Sequence, residues 1–470
     1  MPSISASTAP VPRPAETLVV NDAKIPIKAG KGLESKAAQA TFWTVIDYGG
    51  ATALRTASSL ILTRLLRPEL FGLMTLAATL NTGINLLADI GLAPSVVQSP
   101  RGDDSDFLNT AWTLGIIRSA AVFLVTLILV WPMSAFYHDP RVVGIIIALN
   151  CTMLISGFYS SNLWSLSRHL GVRRLFIVDI SAQVVSMLAT IAWALLVGRT
   201  VWALVAGSWV YVVYRTAVSH FRPLVPGIKN RLHWDKDCVR SLVHFGKWIL
   251  LGTAASFFAS QSDRLILGKL VSLSLLGVYG IAYSVSDIPR AIINAFSQKV
   301  GYPFVAKMAY LPVSEFRQMF LRYRARVLLV GAFLLSLMVL LGGVLVTVMY
   351  DRRYHAASWM VPILALGLWH TLMYATTQPA LYSRGKSNYQ AIGNIFYCIA
   401  SVSCIPLGFH FWGIFGAVIA VAVSDLPMYL TIVIAASRQH LSTWRQDLMM
   451  TAIFLSFLGI GFGIRASIFH

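Results

Sequence analysis

The sequence predicts an all-α protein that crosses a membrane many times. About a dozen apolar segments follow one another between residues 41 and 464, and a helix of about 20 residues is long enough to span the hydrocarbon core of a bilayer. The 470 residues are 56% hydrophobic and only 12% charged, with a mean hydropathy of +0.68. This composition leaves too few polar residues to cover the surface of a soluble fold of this size.

The apolar segments define the predicted helices. Twelve segments cover residues 41–62, 71–97, 108–131, 142–166, 175–197, 200–218, 242–263, 273–298, 327–349, 357–381, 389–408 and 413–436. A weaker thirteenth segment covers residues 447–464. The longest links, around residues 219–241 and 299–326, are too short to hold a catalytic domain. The second link contains an amphipathic stretch at residues 313–326.

Residues 1–36 differ from the rest of the chain. They contain five prolines among scattered Ser, Ala and Lys, and they offer no apolar period long enough to pack. This composition predicts a flexible tail. The segment also lacks the apolar core that a signal peptide places before its cleavage site, so we expect the tail to stay on the chain and in the cytosol.

The distribution of basic residues predicts the orientation in the membrane. Lys and Arg accumulate in short loops that stay in the cytoplasm. With the N-terminus inside, the inner segments hold 24 Lys and Arg residues and the outer segments hold 9. The same bias accounts for most of the net charge of +19, which favours contact with anionic lipid. Nucleic-acid binding would need a basic soluble face, and the predicted helices provide none.

The chain resembles itself at an offset of 205 residues. The shift aligns residues 60–62 with 265–267 and Gly72 with Gly277, and it gives seven identities in eighteen positions. A true repeat predicts two parallel six-helix lobes, which in transporters commonly bind substrate between them; chance similarity between two membrane hairpins is the alternative. The expected organisation is a tail at 1–36, an N-terminal lobe at 37–222, a cytosolic linker at 223–240, a C-terminal lobe at 241–438 and a C-terminal segment with the thirteenth helix at 439–470.

Charged and amide side chains recur at lipid depth, where a charge costs at least about 2.5–3.5 kcal/mol unless it faces a cavity or a partner. The candidates for binding a cargo are Arg55, Arg118, Arg290, Arg215, Lys247, Asn85 and Asn294. The candidates for ion coupling, or for pairing with a cation in the cavity, are Asp47, Asp89, Asp263 and Asp287.

Several of these side chains also have a purely structural explanation. Asp287 and Arg290 lie one turn apart and could neutralise each other. Arg215 and Lys247 lie close enough to the inner interface to extend their charges into it. His370 could relay protons, but a lone histidine in a membrane helix more often makes a hydrogen bond to another helix.

The excess of cations at depth predicts an anionic cargo or an anionic headgroup. Arginine donates two hydrogen bonds at once to a phosphate, and an anionic lipid is therefore the natural candidate. A potential that is negative inside favours outward movement of negative charge by about 2.3 kcal/mol per charge per 100 mV. The sequence contains no G-x-x-x-x-G-K-[ST] segment, and we expect no ATPase activity.

The sequence gives little indication of cysteine chemistry or of a metal site. The four cysteines form no C-x-x-C pair, and the sequence contains no zinc signature, nucleophile elbow or dinucleotide-binding loop. We expect no disulfide, no metal site and no cofactor.

Two sets of motifs indicate a family. The first set is residues 64–72 (RLLRPELFG), residues 89–92 (DIGL) and Gln98; the second is residues 261–268 (QSDRLILG), 276–279 (LGVY) and 302–303 (YP). Together they resemble the polysaccharide-transporter branch of the multidrug, oligosaccharidyl-lipid and polysaccharide exporter superfamily. The resemblance covers residues 41–436, and these motifs mark a fold more than a ligand. It implies the MATE-like arrangement of two six-helix lobes.

The resemblance also implies a function. Members of this branch carry undecaprenyl-pyrophosphate-linked sugar repeat units across the bacterial inner membrane for O-antigen, capsule or exopolysaccharide, and they are not enzymes. The family's cationic cavity would correspond to Arg55, Arg118 and Arg290. The expected partners are the polyprenyl-pyrophosphate-linked oligosaccharide, membrane lipids, and a polysaccharide polymerase with its chain-length machinery.

The residues alone leave three other functions open. A lipid II flippase would share the same cavity. A multidrug antiporter would need acidic residues to dominate the cavity. A membrane glycosyltransferase or polymerase would need acidic catalytic groups in a large outer loop, whereas the predicted outer links are short and hold only Glu69, Asp139 and Asp351.

Overall fold

The computed structural model of the protein describes residues 49–99, 101–169, 171–221, 230–296, 305, 312–384, 386 and 388–468. In this part of the chain the regular structure is helical throughout. Seven helical segments there, with Asn388–Arg438 taken as one, are long and apolar enough to cross a membrane. The prediction of an all-α polytopic membrane protein is confirmed, and the total of twelve or thirteen crossings stays a prediction.

The first half of the described chain forms helices α1 to α8. They cover residues 49–65 (α1), Pro68–Leu87 (α2), Leu92–Gln98 (α3), Ser105–Tyr137 (α4), Arg141–Ser156 (α5), Asn162–Arg168 (α6), Val172–Leu196 (α7) and Trp202–Phe221 (α8).

The second half forms helices α9 to α16. They cover Lys236–Leu270 (α9), Leu273–Ser286 (α10), Ile288–Phe296 (α11), Val313–Met349 (α12), Ala357–Tyr382 (α13), Asn388–Val423 (α14), Leu426–Arg438 (α15) and Trp444–Ile468 (α16). Helix α14 is broken at Trp412 and Gly413, where the backbone angles are not helical. A single 3-10 turn, Arg352–Tyr354, precedes α13.

Four predicted crossings are interrupted in the structure. The predicted helix 71–97 is divided into α2 and α3, 142–166 into α5 and α6, 273–298 into α10 and α11, and 413–436 into the end of α14 and α15. An aspartate lies at three of the four breaks: Asp89, Asp287 and Asp425. Apolar residues continue on both sides of each break, so the hydropathy pattern alone did not reveal the interruptions.

The predicted link at residues 299–326 is wrong in its second half. Helix α12 begins at Val313 and continues without a break to Met349, so the amphipathic stretch belongs to the same helix as the following apolar run. Arg322, Arg324 and Arg326 of this stretch were counted among the basic residues of the inner segments. Arg324 is instead fully buried in an ion pair with Asp447.

The two halves of the chain meet along α2, α9 and α10. The tightest approach is between α2 and α10, where a Cβ added at Gly72 would lie 1.7 Å from the carbonyl oxygen of Leu273. A buried apolar cluster extends at this level from α2 and α5 through α10 to α13. We call this region, comprising residues 63–72, 136–141, 265–277 and 350–354, the sealed end.

Hydrogen bonds between the two halves reinforce the sealed end. The Tyr137 hydroxyl donates to the carbonyl oxygen of Leu265 at 3.2 Å. Arg353 Nη2 donates to the carbonyl oxygens of Thr63 and Arg64, both at 3.1 Å. In the predicted orientation the sealed end faces the outside; neither this orientation nor the predicted lobe boundaries are tested by the structure.

The segment between the two halves is partly described. Backbone N–H groups in residues 231–235 donate to the side chains of Asn109, Thr110 and Thr113 at 3.0–3.3 Å, which holds this segment against the start of α4. The predicted tail at 1–36 and residues 223–229 of the predicted linker lie outside the described residues.

Candidate substrate cavity

A central cavity lies between the two halves, directly beneath the sealed end. It consists of two adjoining chambers of about 270 Å³ and 330 Å³, which share Ser59, Arg264 and Ser284. The first chamber is lined by Thr52, Arg55, Thr56, Ser59, Arg264, Tyr283, Ser284, Val285, Asp287, Ile288, Ala291 and Tyr350. The second is lined by Ser59, Phe71, Thr75, Ala78, Thr79, Thr82, Gln261, Arg264, Gly277, Gly280, Ile281 and Ser284.

Arg264 of α9 contributes to both chambers. Its Nη1 donates to Gln261 Oε1 at 2.6 Å, and its guanidinium carbon lies 4.6 Å from the centre of the Tyr283 ring. Its Nε is buried without a hydrogen-bond partner among the described residues. An unfilled buried donor costs about 1–3 kcal/mol, so this site favours a ligand or water that accepts a hydrogen bond.

Arg55 of α1 lines the first chamber and is exposed. The hydroxyl residues Thr52, Thr56 and Ser59 accompany it on the same helix and line the same chamber. Four polar residues of α1 therefore face the central cavity. Asp47, a candidate for ion coupling or for pairing with a cation, lies outside the described residues.

Arg290 lies behind the cavity lining and is bound to it. Its Nε lies 2.5 Å from Asp287 Oδ1, and its Nη2 donates to the Tyr283 hydroxyl at 3.0 Å. Asp287 and Tyr283 both line the first chamber. This geometry agrees with the interpretation that Asp287 and Arg290 neutralise each other, and it makes Arg290 a residue that positions two lining groups.

Arg118, Asn85 and Asp89 lie at the far end of α2, away from the central cavity. Arg118 donates to the carbonyl oxygens of Ala88 at 2.7 Å and Asn85 at 2.9 Å at the end of α2, where the Asn85 carbonyl also accepts from the backbone N–H of Ala88 at 3.2 Å. Asp89 Oδ1 accepts from the backbone N–H of Gly91 at 2.9 Å. The predicted cationic set is thus divided, because Arg118 lines an apolar groove on the other face of α2.

Two further candidates are bound within one half of the chain. Arg215 Nε lies 2.8 Å from Asp179 Oδ1, and its guanidinium stacks over the ring of Tyr159. Asp263 is buried and accepts a hydrogen bond from the Tyr279 hydroxyl at 2.5 Å. Neither residue is among those that line the central cavity. The side chains of Lys247 and Asn294 lie outside what the structure describes.

His370 joins two helices. Its Nε2 is hydrogen-bonded to Asp425 Oδ1, and the neighbouring Thr371 hydroxyl donates to Asp425 Oδ2 at 2.5 Å. His370 and Asp425 are both buried. This contact ties α13 to the break between α14 and α15, which fits the structural interpretation of this histidine.

Arg264 is the cavity residue that the sequence analysis missed. It had been assigned to an outer loop because the apolar run of the seventh predicted helix stops at Asp263. Helix α9 in fact continues to Leu270, which places Arg264 inside the helix. The internal repeat held a signal, because the apolar residues 265–267 that follow Arg264 align with residues of the first predicted helix.

The cavity combines cations with many hydroxyl groups and an amide. Guanidinium groups bind phosphate oxygens through paired hydrogen bonds, and hydroxyl and amide groups can donate to and accept from a sugar. The tight crossing of α2 and α10 closes the cavity at the sealed end. The arrangement can therefore hold a polar anionic group between two helical bundles.

A comparison with protein families identifies the chain. The model of the family described as polysaccharide biosynthesis protein matches residues 61–359. The chain belongs to this family. The matched region includes the cavity-lining residues between Phe71 and Tyr350 and the whole contact between α2, α9 and α10, whereas the cavity-lining residues of α1 precede it.

Relatives of this polysaccharide biosynthesis family member occur in several bacteria. The chain is 22% identical over 303 residues to the amylovoran biosynthesis protein AmsL of Erwinia amylovora, which covers 63% of this chain and 75% of that protein. It is 21% identical over 285 residues to the lipopolysaccharide biosynthesis protein WzxC of Escherichia coli (59% and 56%). It is 22% identical over 295 residues to the teichuronic acid biosynthesis protein TuaB of Bacillus subtilis (61% and 59%). The chain thus spans less than two thirds of the latter two relatives.

Solved structures share the fold. An inward-facing multidrug resistance MATE family transporter of the MOP superfamily superimposes with a TM-score of 0.63 at 14% identity, over 83% of this chain and 94% of that one. The lipid II flippase MurJ in an inward closed conformation gives a TM-score of 0.63 at 11% identity, over 92% and 98%. The MATE-like fold implied by the sequence motifs is confirmed.

Proposed function

We propose that this protein is a flippase that moves undecaprenyl-pyrophosphate-linked oligosaccharide repeat units from the inner to the outer leaflet of the bacterial inner membrane. The cargo would serve the assembly of exopolysaccharide, capsule or O-antigen. The observation that carries the proposal is the hydroxyl-lined cavity between the two halves, with Arg264 and Arg55 in its wall, in a member of a polysaccharide biosynthesis family.

The cavity chemistry suits both parts of such a headgroup. Arg264 has an unfilled donor, and Arg55 lines the same chamber. A pyrophosphate placed between them would receive charge-assisted hydrogen bonds. Thr75, Thr79 and Thr82 line the second chamber and offer hydroxyl groups to the sugars.

Transport then requires the sealed end to open. The headgroup would enter while the cavity is closed at the sealed end, and separation of α2 from α10 would release it on the opposite side. Such rocking of two bundles about a site between them is the usual mechanism of two-lobed transporters. The membrane potential would favour the outward step by about 2.3 kcal/mol per charge per 100 mV.

The relatives support this assignment by their biosynthetic roles in amylovoran, lipopolysaccharide and teichuronic acid. We place the protein in the bacterial inner membrane with its N-terminus in the cytoplasm, on the basis of the basic inner segments. Its partners would be membrane lipids and a polysaccharide polymerase with its chain-length machinery.

A lipid II flippase is the second candidate, because the fold is shared with MurJ and the cavity would accept the same pyrophosphate. A multidrug antiporter is disfavoured because two arginines line the first chamber against one aspartate, Asp287. A membrane glycosyltransferase or polymerase is disfavoured because Glu69 and Asp139, two of the three acidic residues of the predicted outer links, are bound to Arg141.

The test is flipping by the purified protein in liposomes. Undecaprenyl pyrophosphate linked to a fluorescent oligosaccharide is incorporated, and the fraction that becomes accessible to an impermeant quencher is followed with time. We expect transfer by the wild-type protein, slower transfer by Arg264→Ala, and no transfer in empty liposomes. Transfer of sugar between lipids in place of flipping would support the enzyme alternative, and equal flipping of lipid II would favour the second candidate.

A further inference from the structure

Asp287 brings a negative charge into the first chamber of the central cavity. The charged residues that line this chamber are Arg55, Arg264 and Asp287. The charges of Asp287 and Arg264 act on each other. An unpaired carboxylate here would repel an anionic headgroup, and it could also take the donors of Arg264 that a phosphate needs. Whether the chamber favours an anion therefore depends on what neutralises Asp287.

Arg290 neutralises Asp287 from behind the chamber wall. Its Nε lies 2.5 Å from Asp287 Oδ1, and the two side chains are 28% and 27% exposed. Arg290 is not among the residues that line either chamber. Asp287 is the single residue between α10 and α11, and Arg290 lies in the first turn of α11, so the local chain holds the pair together. The cation therefore acts on the chamber without lining it.

Arg290 also holds the aromatic ring that Arg264 contacts. Its Nη2 donates to the Tyr283 hydroxyl at 3.0 Å, and its guanidinium carbon lies 5.9 Å from the centre of the Tyr283 ring. The guanidinium carbon of Arg264 lies 4.6 Å from the same centre, and its Nη1 donates to Gln261. Both of these partners of Arg264 are uncharged. Because Asp287 is paired with Arg290, the charge of Arg264 stays available to a ligand.

The balance of charge around the first chamber depends on Arg290. A second carboxylate, that of Asp263, also acts on Arg264; it is buried and lies outside the lining. Among the residues that the structure describes, Arg55 and Arg264 together would only balance Asp263 and Asp287. Arg290 adds the cation that leaves this group of side chains positive.

We propose that Arg290 determines the sign of the charge that the central cavity accepts. It pairs with Asp287 and so leaves Arg55 and Arg264 to an anionic headgroup, and it does not itself touch the cargo. The inference rests on the proposed function and makes Arg290 a positioning residue. It differs from the expectation from the sequence, in which Arg290 binds the cargo directly.

The reaction rates of two thiol reagents of opposite charge test the sign of the cavity. Ser284, which lines both chambers, is replaced by cysteine in a chain without its four native cysteines. This parent protein is labelled in detergent with an anionic and with a cationic methanethiosulfonate. The ratio of the anionic to the cationic rate reports the electrostatic potential at residue 284, and the measurement needs no cargo.

Removal of the Arg290 charge should change this ratio. Arg290→Gln should lower it by about tenfold, because a positive charge next to the chamber is lost. Asp287→Asn should raise the ratio, and the double variant should give the ratio of the parent. An unchanged ratio in Arg290→Gln would overturn the inference.

Arg215→Gln is the matched control. Arg215 also pairs with an aspartate, its side chain is 24% exposed, and its guanidinium also lies over a tyrosine ring. It is not among the residues that line the cavity, so its loss should leave the ratio unchanged. An equal fall of the ratio in Arg215→Gln and Arg290→Gln would mean that the effect is not local, and this would overturn the inference as well.

Titration with geranyl pyrophosphate, a water-soluble short-chain analogue, separates positioning from direct contact. If Arg290 acts through Asp287, Arg290→Gln should weaken binding by about tenfold, and the further change Asp287→Asn should restore it. If Arg290 donates to the phosphate itself, the double variant would bind as weakly as Arg290→Gln, and the inference would be wrong.

The charge of the ligand distinguishes an electrostatic role from a structural one. The loss of affinity in Arg290→Gln should be greater for geranyl pyrophosphate than for geranyl monophosphate, because the pyrophosphate carries more negative charge. An equal loss for both ligands would indicate a distorted site and would overturn the inference.

The outcomes keep the two levels of proposal apart. Absence of binding by the wild type would contradict the proposed function, while the labelling ratio would still decide the role of Arg290. Binding by the wild type together with unchanged ratios would overturn that role and leave the proposed function intact. Should Arg290→Gln fail to fold, Asp287→Asn decides: a ratio no higher than that of the parent would overturn the inference.

Discussion

Gly72 of α2 and Gly277 of α10 face each other at the crossing that closes the central cavity. A Cβ at Gly72 would lie 1.7 Å from the carbonyl oxygen of Leu273, and one at Gly277 would lie 2.0 Å from that of Pro68. The offset of 205 residues also aligns the two glycines. The contact is reciprocal, because each glycine lies against a backbone carbonyl of the other helix.

The first prediction concerns this crossing. Gly277→Ala should push α10 away from α2, because the added methyl group overlaps a backbone carbonyl that cannot move aside alone. Gly280→Ala, one turn further along α10, is the matched control, since its Cβ would lie 3.4 Å from the Thr75 hydroxyl. Access to the cavity is measured with a cysteine at a lining position, Ser284→Cys, in a background without the four native cysteines.

We expect an impermeant maleimide added from the sealed side to label Ser284→Cys faster in the Gly277→Ala variant and at the unchanged rate in Gly280→Ala. Equal rates in all three proteins would show that the glycine crossing does not control access to the cavity.

The fold and the site were not equally predictable from the sequence. The positions of the long apolar helices follow from hydropathy, because each must cover the hydrocarbon core. The breaks at Asp89 and Asp287 do not follow, because single polar residues within an apolar run are equally compatible with a continuous helix. Asp89 ends the helix by accepting from the backbone N–H of Gly91, a local contact that hydropathy does not report.

The positions of the cationic residues were also only partly predictable from the sequence. Arg55 was predicted among the cavity cations, and in the structure it lines the first chamber beside polar residues of its own helix. The separation of Arg118 from Arg55 depends on how α2, α4 and α9 pack, and no local pattern encodes it. Arg264 was assigned to a loop because it directly follows the apolar run of its helix. Its place in the cavity depends on tertiary structure, including its contact with the Tyr283 ring.

The second prediction concerns the buried pair that attaches α16. Arg324 and Asp447 lie 2.5 Å apart with side chains that are 0% and 3% exposed, and Arg324 also donates to the carbonyl oxygen of Met373. Removing one partner of a buried pair costs about 3–5 kcal/mol, because it leaves the other charge unpaired. Arg324→Ala should therefore lower the melting temperature of the protein in detergent strongly.

The double variant Arg324→Leu with Asp447→Leu should be more stable than either single leucine variant, because no charge is left buried. Arg322→Ala, an exposed arginine of the same helix, should leave the melting temperature unchanged. A double variant as unstable as the sum of the singles would mean that the pair itself, and not the avoidance of an unpaired charge, stabilises α16.

The third prediction concerns acid. Arg353 donates to Asp351 at 2.7 Å and lowers the pKa of this carboxyl group below its ordinary value of 3.8. The stabilisation is therefore present above the ordinary pKa and is lost as the pH falls through the lowered pKa. Because Arg353 also holds the carbonyl oxygens of Thr63 and Arg64, protonation of Asp351 should loosen the sealed end.

Distances between spin labels at Arg64→Cys and Arg352→Cys measure this effect. We expect the distribution to broaden as the external pH falls through the lowered pKa of Asp351, and Asp351→Asn to show the broad distribution already at pH 7. Asp139→Asn, which breaks a contact with Arg141 within the first half of the chain, should not change the distances at pH 7. A narrow distribution for Asp351→Asn at pH 7 would contradict the prediction.

The fourth prediction concerns the cavity itself. Arg264 lines both chambers of the cavity and has an unfilled buried donor, and hydrogen bonds to charged groups contribute about 1.5–3 kcal/mol. Arg264→Ala should therefore weaken binding of a pyrophosphate headgroup by about ten- to a hundredfold. Arg264→Lys should recover only part of the loss, because lysine keeps the charge but cannot donate in a fork.

Isothermal titration of the detergent-solubilised protein with geranyl pyrophosphate measures this binding. Arg445→Ala, an exposed arginine at the start of α16, is the control and should bind as the wild type. The lysine variant distinguishes recognition of charge from recognition of geometry. Full recovery of binding by lysine would mean that the cavity senses charge alone, and any anionic headgroup of the same charge should then bind equally well. Partial recovery means that the planar guanidinium, held on the Tyr283 ring and fixed by Gln261, selects a phosphate group by its geometry.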